Sequence, residues 1–187
     1  HPPDSIHLCP NGVKCERVFK KNTTTEVPAY VATIDISSYV GVTKYLICNN
    51  KETVLYMGNL GCLEINPWNS RVESLDCPDY LVIDLDPEGP DFQAVTQVAL
   101  AVKKVLDQAK VTAFCKTAGK RGMHIFIPLH GQYETELATT FAHLIATLVN
   151  QELPDLTNLE RSPANQQGKI YIYCLTNNMG QTLHGLY

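Results

Sequence analysis

The chain is short of charge, and the charge it has is not basic. Of its 187 residues only 18% are Asp, Glu, Lys or Arg, with 15 basic against 19 acidic side chains and a formal net charge of -4. A general nucleic-acid binder is more often basic, so a polyanion here has to meet a local patch. No Cys-x-x-Cys pair occurs among Cys9, Cys15, Cys48, Cys62, Cys77, Cys115 and Cys174, and their number is odd. That argues against a zinc site and against a disulfide framework; free thiols in a reducing cytosol are the expectation. No apolar run reaches the length of a membrane span and no signal-peptide pattern is visible. Internal repeats and low-complexity tracts are missing too. There is no Met at position 1, and the opening HPPDSIHLCPNG reads as the middle of a longer sequence.

What is present suits a globular chain. Hydrophobic residues make up 44% of it, enough for one domain over 1–187 with a real core, possibly carrying a small appendage. Residues 1–30 are punctuated by Pro2, Pro3, Pro10, Gly12 and Pro28 and read as irregular. Residues 31–36 alternate as a strand. Residues 43–48 read as a strand or the start of a short helix, 51–59 as a short helix ended by Gly61, and 62–66 as a strand. A helix is expected from Asp91 to about Lys110, with Val95, Val98, Val102, Val105, Leu106 and Ala109 as its apolar stripe. A second helix is expected from Glu134 to about Glu152, with Leu137, Phe141, Leu144, Ile145 and Leu148 inside. Strands are expected at 111–116, 123–129 and 169–175. The fold class is α+β, an α/β two-layer arrangement with a mixed central sheet flanked by helices.

The stretch Tyr80–Pro87, YLVIDLDP, carries the chemistry. Side chains at i and i+2 of a strand share a face. Asp84 and Asp86 therefore stand side by side, with Leu81, Ile83 and Leu85 turned the other way into a core. Neighbouring carboxylates resist ionising together, and a divalent cation such as Mg²⁺ or Mn²⁺ removes the conflict. The plainer reading is a strand end, where Asp starts a turn and Pro87 stops the ladder. The pair alone does not choose between them.

Five blocks do. They are CPNGVKCERVFKK, NLGCLEINPWNSR, CPDYLVIDLDP, KTAGKRGMHIFIPL and GKIYIYCLTNNMGQT. In order and spacing the chain resembles the polymerase domain of the bacterial end-joining DNA ligase D, a member of the archaeo-eukaryotic primase superfamily. The resemblance implies a primase-polymerase-like catalytic core, here without the N-terminal and C-terminal parts of the family domain. It implies metal-dependent, template-directed nucleotidyl transfer onto DNA ends or gaps in double-strand break repair. Mn²⁺ or Mg²⁺, NTP or dNTP and a DNA end or gapped duplex are the implied ligands. An attached ligase domain, a Ku-type end-binding partner, and a cytoplasmic, nucleoid-associated location are implied with them.

Carried onto this sequence, the resemblance makes Asp84 and Asp86 the catalytic metal carboxylates. It places His124, Lys116, Lys120 and Arg121 on the incoming triphosphate, with Gly119 and Gly122 letting backbone approach phosphate. Lys21 and Gln181 become nucleotide contacts. Phe19 becomes a stacking or wall residue, with a core role the equal alternative, and Glu64, Asn66 and Trp68 support the site; many relatives carry histidine where Asn66 stands, and some carry asparagine. Without that context His124 reads as a satisfied core histidine, 116–121 as a solvated basic loop, and Glu64 as a surface ion pair.

The sequence also departs from the family pattern. The third metal carboxylate falls on Tyr173, a neutral phenol at pH 7 and a poor ligand for hard cations. Two arginines of the last block are Asn178 and Met179, a basic pair upstream is Gln166-Gln167, a serine is Ala118, and an Arg-His is Leu8-Cys9. These losses support a second expectation, a nucleotide- or DNA-end-binding module with an impaired centre.

Overall fold

In the computed structural model the described residues are 1–23, 26–38, 41–119, 121–160, 168–174, 177, 180 and 182. Their strands are β1 (Asp4–Leu8), β2 (Val18–Lys20), β3 (Ala32–Ser38), β4 (Gly41–Ile47), β5 (Cys62–Pro67), β6 (Tyr80–Pro87), β7 (Phe114–Thr117), β8 (Met123–Pro128), β9 (Thr157–Asn158) and β10 (Ile170–Tyr173). The helices are α1 (Lys51–Asn59), α2 (Phe92–Gln108) and α3 (Thr135–Glu152). The chain divides into two compact units, residues 76–179 and residues 1–75 with 180–187.

The unit of residues 76–179 is built on β6. Leu81, Val82, Ile83 and Leu85 are fully buried, and an apolar run of this kind belongs to a strand with neighbours on both edges. The sheet order is β7-β8-β6-β10-β9, antiparallel except for the parallel β10–β9 pair, so it is the mixed sheet the sequence implies. Leu81, Ile83 and Leu85 share one core with Val95, Val98, Ala101, Val102 and Leu106 of α2. The Asp91 side chain caps α2 by accepting from the Ala94 amide at 2.9 Å, which satisfies an orphan donor of the first turn.

α3 sits on the same sheet with Ile145 buried and Phe141 packed against the core as expected, but with its three leucines outside. Ala138, Ala142, Ile145, Ala146 and Val149 are buried, while Leu137, Leu144 and Leu148 are exposed. Small side chains at i, i+4 and i+8 let the helix lie close to the sheet, and the large leucines fall to its flanks. Leucine outranks alanine in any hydrophobicity reading, so the sequence reading put the leucines inside and passed over the alanines.

The first unit corrects the reading of residues 1–30. β1 and β2 form there despite the prolines, because β1 finds partners far along the chain. It pairs with β5 from Asp4↔Pro67 to Leu8↔Cys62 and with β2 from Ile6↔Lys20 to Leu8↔Val18. Residues 41–47 are a strand, β4, paired with β3 along its length. The expected strand at 111–116 begins only at Phe114, and the strand at 169–175 is β10 over Ile170–Tyr173, with position 175 outside the described residues. Ile6, Val31, Leu46 and Met57 form one small core, and Ile36, Tyr45 and Trp68 another. All seven cysteines are free thiols. No described helix is long and apolar enough to cross a membrane.

Candidate active site

Register places the polar residues of the second unit in a single row. Lys116 pairs with His124, His124 with Asp84, and Asp84 with Tyr173. Paired residues on adjacent strands point to the same face, so these four cross the sheet together from β7 to β10. One step along, Asp86 pairs with Tyr171. The row lies on the face opposite Leu81, Ile83 and Leu85, as the alternation of YLVIDLDP requires.

His124 is buried, and its Nε2 lies 3.5 Å from Asp84 Oδ1. Lys116 places its ammonium 5.9 Å from the centre of the Phe126 ring. Burial pushes the Asp84 carboxyl up to about 7, and the charge of Asp86 adds to the effect. An acid held this far from its ordinary range, beside a second carboxylate, is the arrangement a divalent cation relieves. Among the described residues no group of three or more His, Cys, Asp or Glu is arranged to hold a metal. Asp84 and Asp86 offer two carboxylates on one face, oxygen donors of the kind that Mg²⁺ takes together with substrate phosphates and water.

Arg121 is exposed at the β7–β8 turn; Lys120 and Gln181 lie outside the described residues. Gly119 has φ +80°, a conformation that suits glycine. Gly122 has a packing reason as well: a Cβ there would come within 2.5 Å of the Leu85 carbonyl. Its small size lets the turn close against β6 between the two aspartates.

Five of the described predicted residues lie in the first unit. Phe19, His7 and Glu64 are register partners across β2, β1 and β5, and form one row. His7 Nδ1 donates to Glu64 Oε2 at 2.9 Å, and Arg17 donates to Glu64 Oε1 at 3.3 Å. Buried Asn66 brings its Nδ2 to 3.4 Å from His7 Nδ1. The Lys21 ammonium is 5.6 Å from the centre of the Phe19 ring. Trp68 is buried edge-on against Tyr45, with ring centres 5.2 Å apart, and belongs to the small core it forms with Tyr45 and Ile36.

A family model described as the LigD primase-polymerase domain matches residues 2–187. The chain belongs to that family. It is 31% identical over 176 residues to the bifunctional non-homologous end joining protein LigD of Bacillus subtilis, covering 93% of this chain and 28% of that protein. It is 28% identical over 190 residues to the multifunctional non-homologous end joining protein LigD of Pseudomonas aeruginosa, covering 99% of this chain and 22% of that protein. The chain thus spans about a quarter of the length of these relatives. Among solved structures, a polymerase domain from Mycobacterium tuberculosis ligase D in complex with DNA matches with a TM-score of 0.92 at 24% identity. That match covers 100% of this chain and 68% of the other, and it establishes the shared fold.

Within this family fold, Tyr173 is the residue that faces Asp84 from β10, and its ring lies 5.6 Å from that of Tyr171. The β10 side of the carboxylate pair is therefore an aromatic wall. Three contributors escaped the sequence reading. His7 and Arg17 sit in the stretch taken as irregular; the alternation of Ser5 and His7 against Asp4, Ile6 and Leu8 was the available signal. Asn177 continues the ladder past the end of β10. It accepts from the Val82 amide at 2.7 Å and donates to the Val82 carbonyl at 2.7 Å and the Cys174 carbonyl at 2.8 Å. No pattern in the sequence marks an asparagine that imitates a strand.

Proposed function

We propose that the chain is a nucleotidyltransferase of the DNA-directed polymerase and primase type, extending DNA ends or filling gaps in double-strand break repair by end joining. The row Lys116–His124–Asp84, with Asp86 beside it, carries this reading. In it, Asp84 and Asp86 hold a divalent cation, Mn²⁺ or Mg²⁺, which when bound neutralises charge developing on the transferred phosphoryl group. Lys116 and His124 contribute cationic and hydrogen-bonding contact to the triphosphate oxygens, and Arg121 and Lys120 add positive charge at the turn. Lys21 and Gln181 contact the nucleotide, Phe19 stacks, and Glu64 and Asn66 orient their neighbours. The growing 3′-hydroxyl attacks the α-phosphate and pyrophosphate leaves. The site is proposed to work with a DNA end or gapped duplex, an NTP or dNTP, an attached ligase domain and a Ku-type partner, in a bacterial cytoplasm at the nucleoid.

One observation favours a second reading. Tyr173 faces Asp84 where the resemblance calls for a carboxylate, which supports a module that binds nucleotides or DNA ends with little turnover. Primer extension on a gapped duplex with Mn²⁺ and ribonucleotides separates the two. Extension that disappears in Asp84→Ala/Asp86→Ala supports the enzyme. DNA binding that needs no metal, with no extension, supports the binding module.

A further inference from the structure

We propose that the chain associates with a second copy of itself through the outer face of its two long helices, α2 and α3. This goes beyond the catalytic reading and does not depend on it.

α3 carries two apolar stripes, and only one of them is used. Its alanines, with Ile145 and Val149, already fill the contact with the sheet. Leu137, Phe141, Leu144 and Leu148 follow one another at steps of four, three and four residues, the spacing of a seam that packs against a further helix. Leu137 is 57% exposed, Leu144 54% and Leu148 41%. Val105, Gln108 and Ala109 line a groove with Phe141, Leu144 and Leu148. A second groove runs on from Phe141 to Leu137, Tyr133 and Val111. Exposed apolar surface of this continuity marks an interaction site.

Charge selects the occupant. Residues 122–160 contain no Lys or Arg, but hold Glu134, Glu136, Glu152, Asp155 and Glu160. Residues 103–110 hold Lys103, Lys104 and Lys110 against Asp107. Lys104 bridges to Glu152 at 2.7 Å and Lys103 to Asp107. Lys110, Glu134 and Glu136 are exposed and form no ion pair among the described residues. The helices run antiparallel, since Lys104 meets Glu152 whereas Ala109 meets the groove beside Phe141. A two-fold axis parallel to them therefore lays α2 of one copy over α3 of the other at matching levels, and each contact occurs twice. Lys110 of one copy then faces the acidic start of α3 in the other, and the two leucine seams meet at the axis. Laying α3 on α3 would set carboxylate against carboxylate, which is unfavourable. Leu81, Ile83 and Leu85 turn toward these helices and Asp84 and Asp86 away from them, so the carboxylate pair stays open in both copies.

The test is sedimentation equilibrium of the 187-residue chain from low micromolar to near-millimolar concentration. The variants are Leu144→Gln, Leu137→Glu, Lys110→Glu, Glu136→Lys and the double variant Lys110→Glu/Glu136→Lys. The parent is expected to rise from the monomer mass toward twice that mass. Leu144→Gln and Leu137→Glu each raise the dissociation constant by about tenfold or more, while Leu144→Gln leaves the unfolding of the dilute, monomeric chain little changed. Lys110→Glu and Glu136→Lys each weaken association by about three- to tenfold, and the double variant returns it to near that of the parent. A parent that stays monomeric throughout overturns the proposal. Association that neither leucine variant weakens overturns it too, since the contact then lies on another face. A double variant as weak as the single ones overturns the crossing of α2 on α3. Should Leu137→Glu melt early, Leu144→Gln and the charge exchange decide the matter.

Discussion

The two units place a buried carboxylate in opposite circumstances. Asp4 of the first unit is buried among apolar neighbours, yet it accepts the Cys48 amide at 2.7 Å, and desolvation pushes it up to about 6. Asp84 of the second unit sits in the middle of a sheet, and burial with the repulsion of Asp86 pushes it up to about 7. Both shifts come first from desolvation. The difference lies in the neighbour. A backbone amide settles Asp4 within the fold, whereas a second carboxylate leaves Asp84 with a conflict that a bound cation would end. A raised carboxyl is a sign of function only when its surroundings leave something for a ligand to do.

The largest expected effect concerns the wall opposite Asp84. Tyr173→Asp adds a third carboxylate beside the pair, and primer extension is expected to rise by roughly 10²–10⁴-fold. Unchanged or lower extension would mean that position 173 does not limit the centre.

pH separates the two aspartates next. Both are protonated more readily in the folded chain than in the unfolded chain, where Asp titrates near ~3.9. The stability tied to them is fully present below about pH 4 and is lost as pH rises through the folded values of about 6 for Asp4 and about 7 for Asp84. Asp84→Asn removes that loss, so its melting temperature at pH 8 is expected above that of the parent, by on the order of 2–4 kcal/mol of stability. The gain should vanish near pH 4. Asp4→Asn should gain less, because its folded value is shifted less. A melting temperature for Asp84→Asn that tracks the parent at every pH would contradict this.

A smaller effect tests what holds the row in place. Asn177→Ala strips two partners from the Val82 backbone, and its cost is expected at about 2–3 kcal/mol, with faster hydrogen exchange at Val82 and little change in the first unit. The smallest effects lie on α3. Ala142→Leu overpacks the helix against the sheet and is expected to cost about 1–3 kcal/mol, while Leu144→Gln, on the exposed flank, is expected to stay within about 0.5 kcal/mol. Chemical denaturation of both variants checks the order, and a reversed order would restore the stripe expected from hydrophobicity.

The same contrast explains what was legible in the sequence. β6, α1 and α2 were legible because their patterns are local: alternation ending in DLDP, a closing glycine, valines at helical spacing. The pairing of Lys116, His124 and Asp84 followed once the strands were placed, since register turns a list of residues into a row. β1 was hidden because its partner β5 lies more than fifty residues away and prolines flank it, and His7 and Arg17 were hidden with it. α3 was found, with Ile145 and Phe141 inward as expected, but its leucines were misplaced because alanine packs closely without being very hydrophobic. Trp68, taken from its block as a supporting residue, is in the fold a core side chain against Tyr45.

The most direct test of the central claim, that Asp84 and Asp86 form a cation site, is Mn²⁺ binding at pH 8 followed by loss of the free-ion signal in electron paramagnetic resonance. The parent chain and Asp4→Asn are expected to bind the ion alike, and Asp84→Asn/Asp86→Asn to lose it. Equal binding by the parent and Asp84→Asn/Asp86→Asn would contradict the claim.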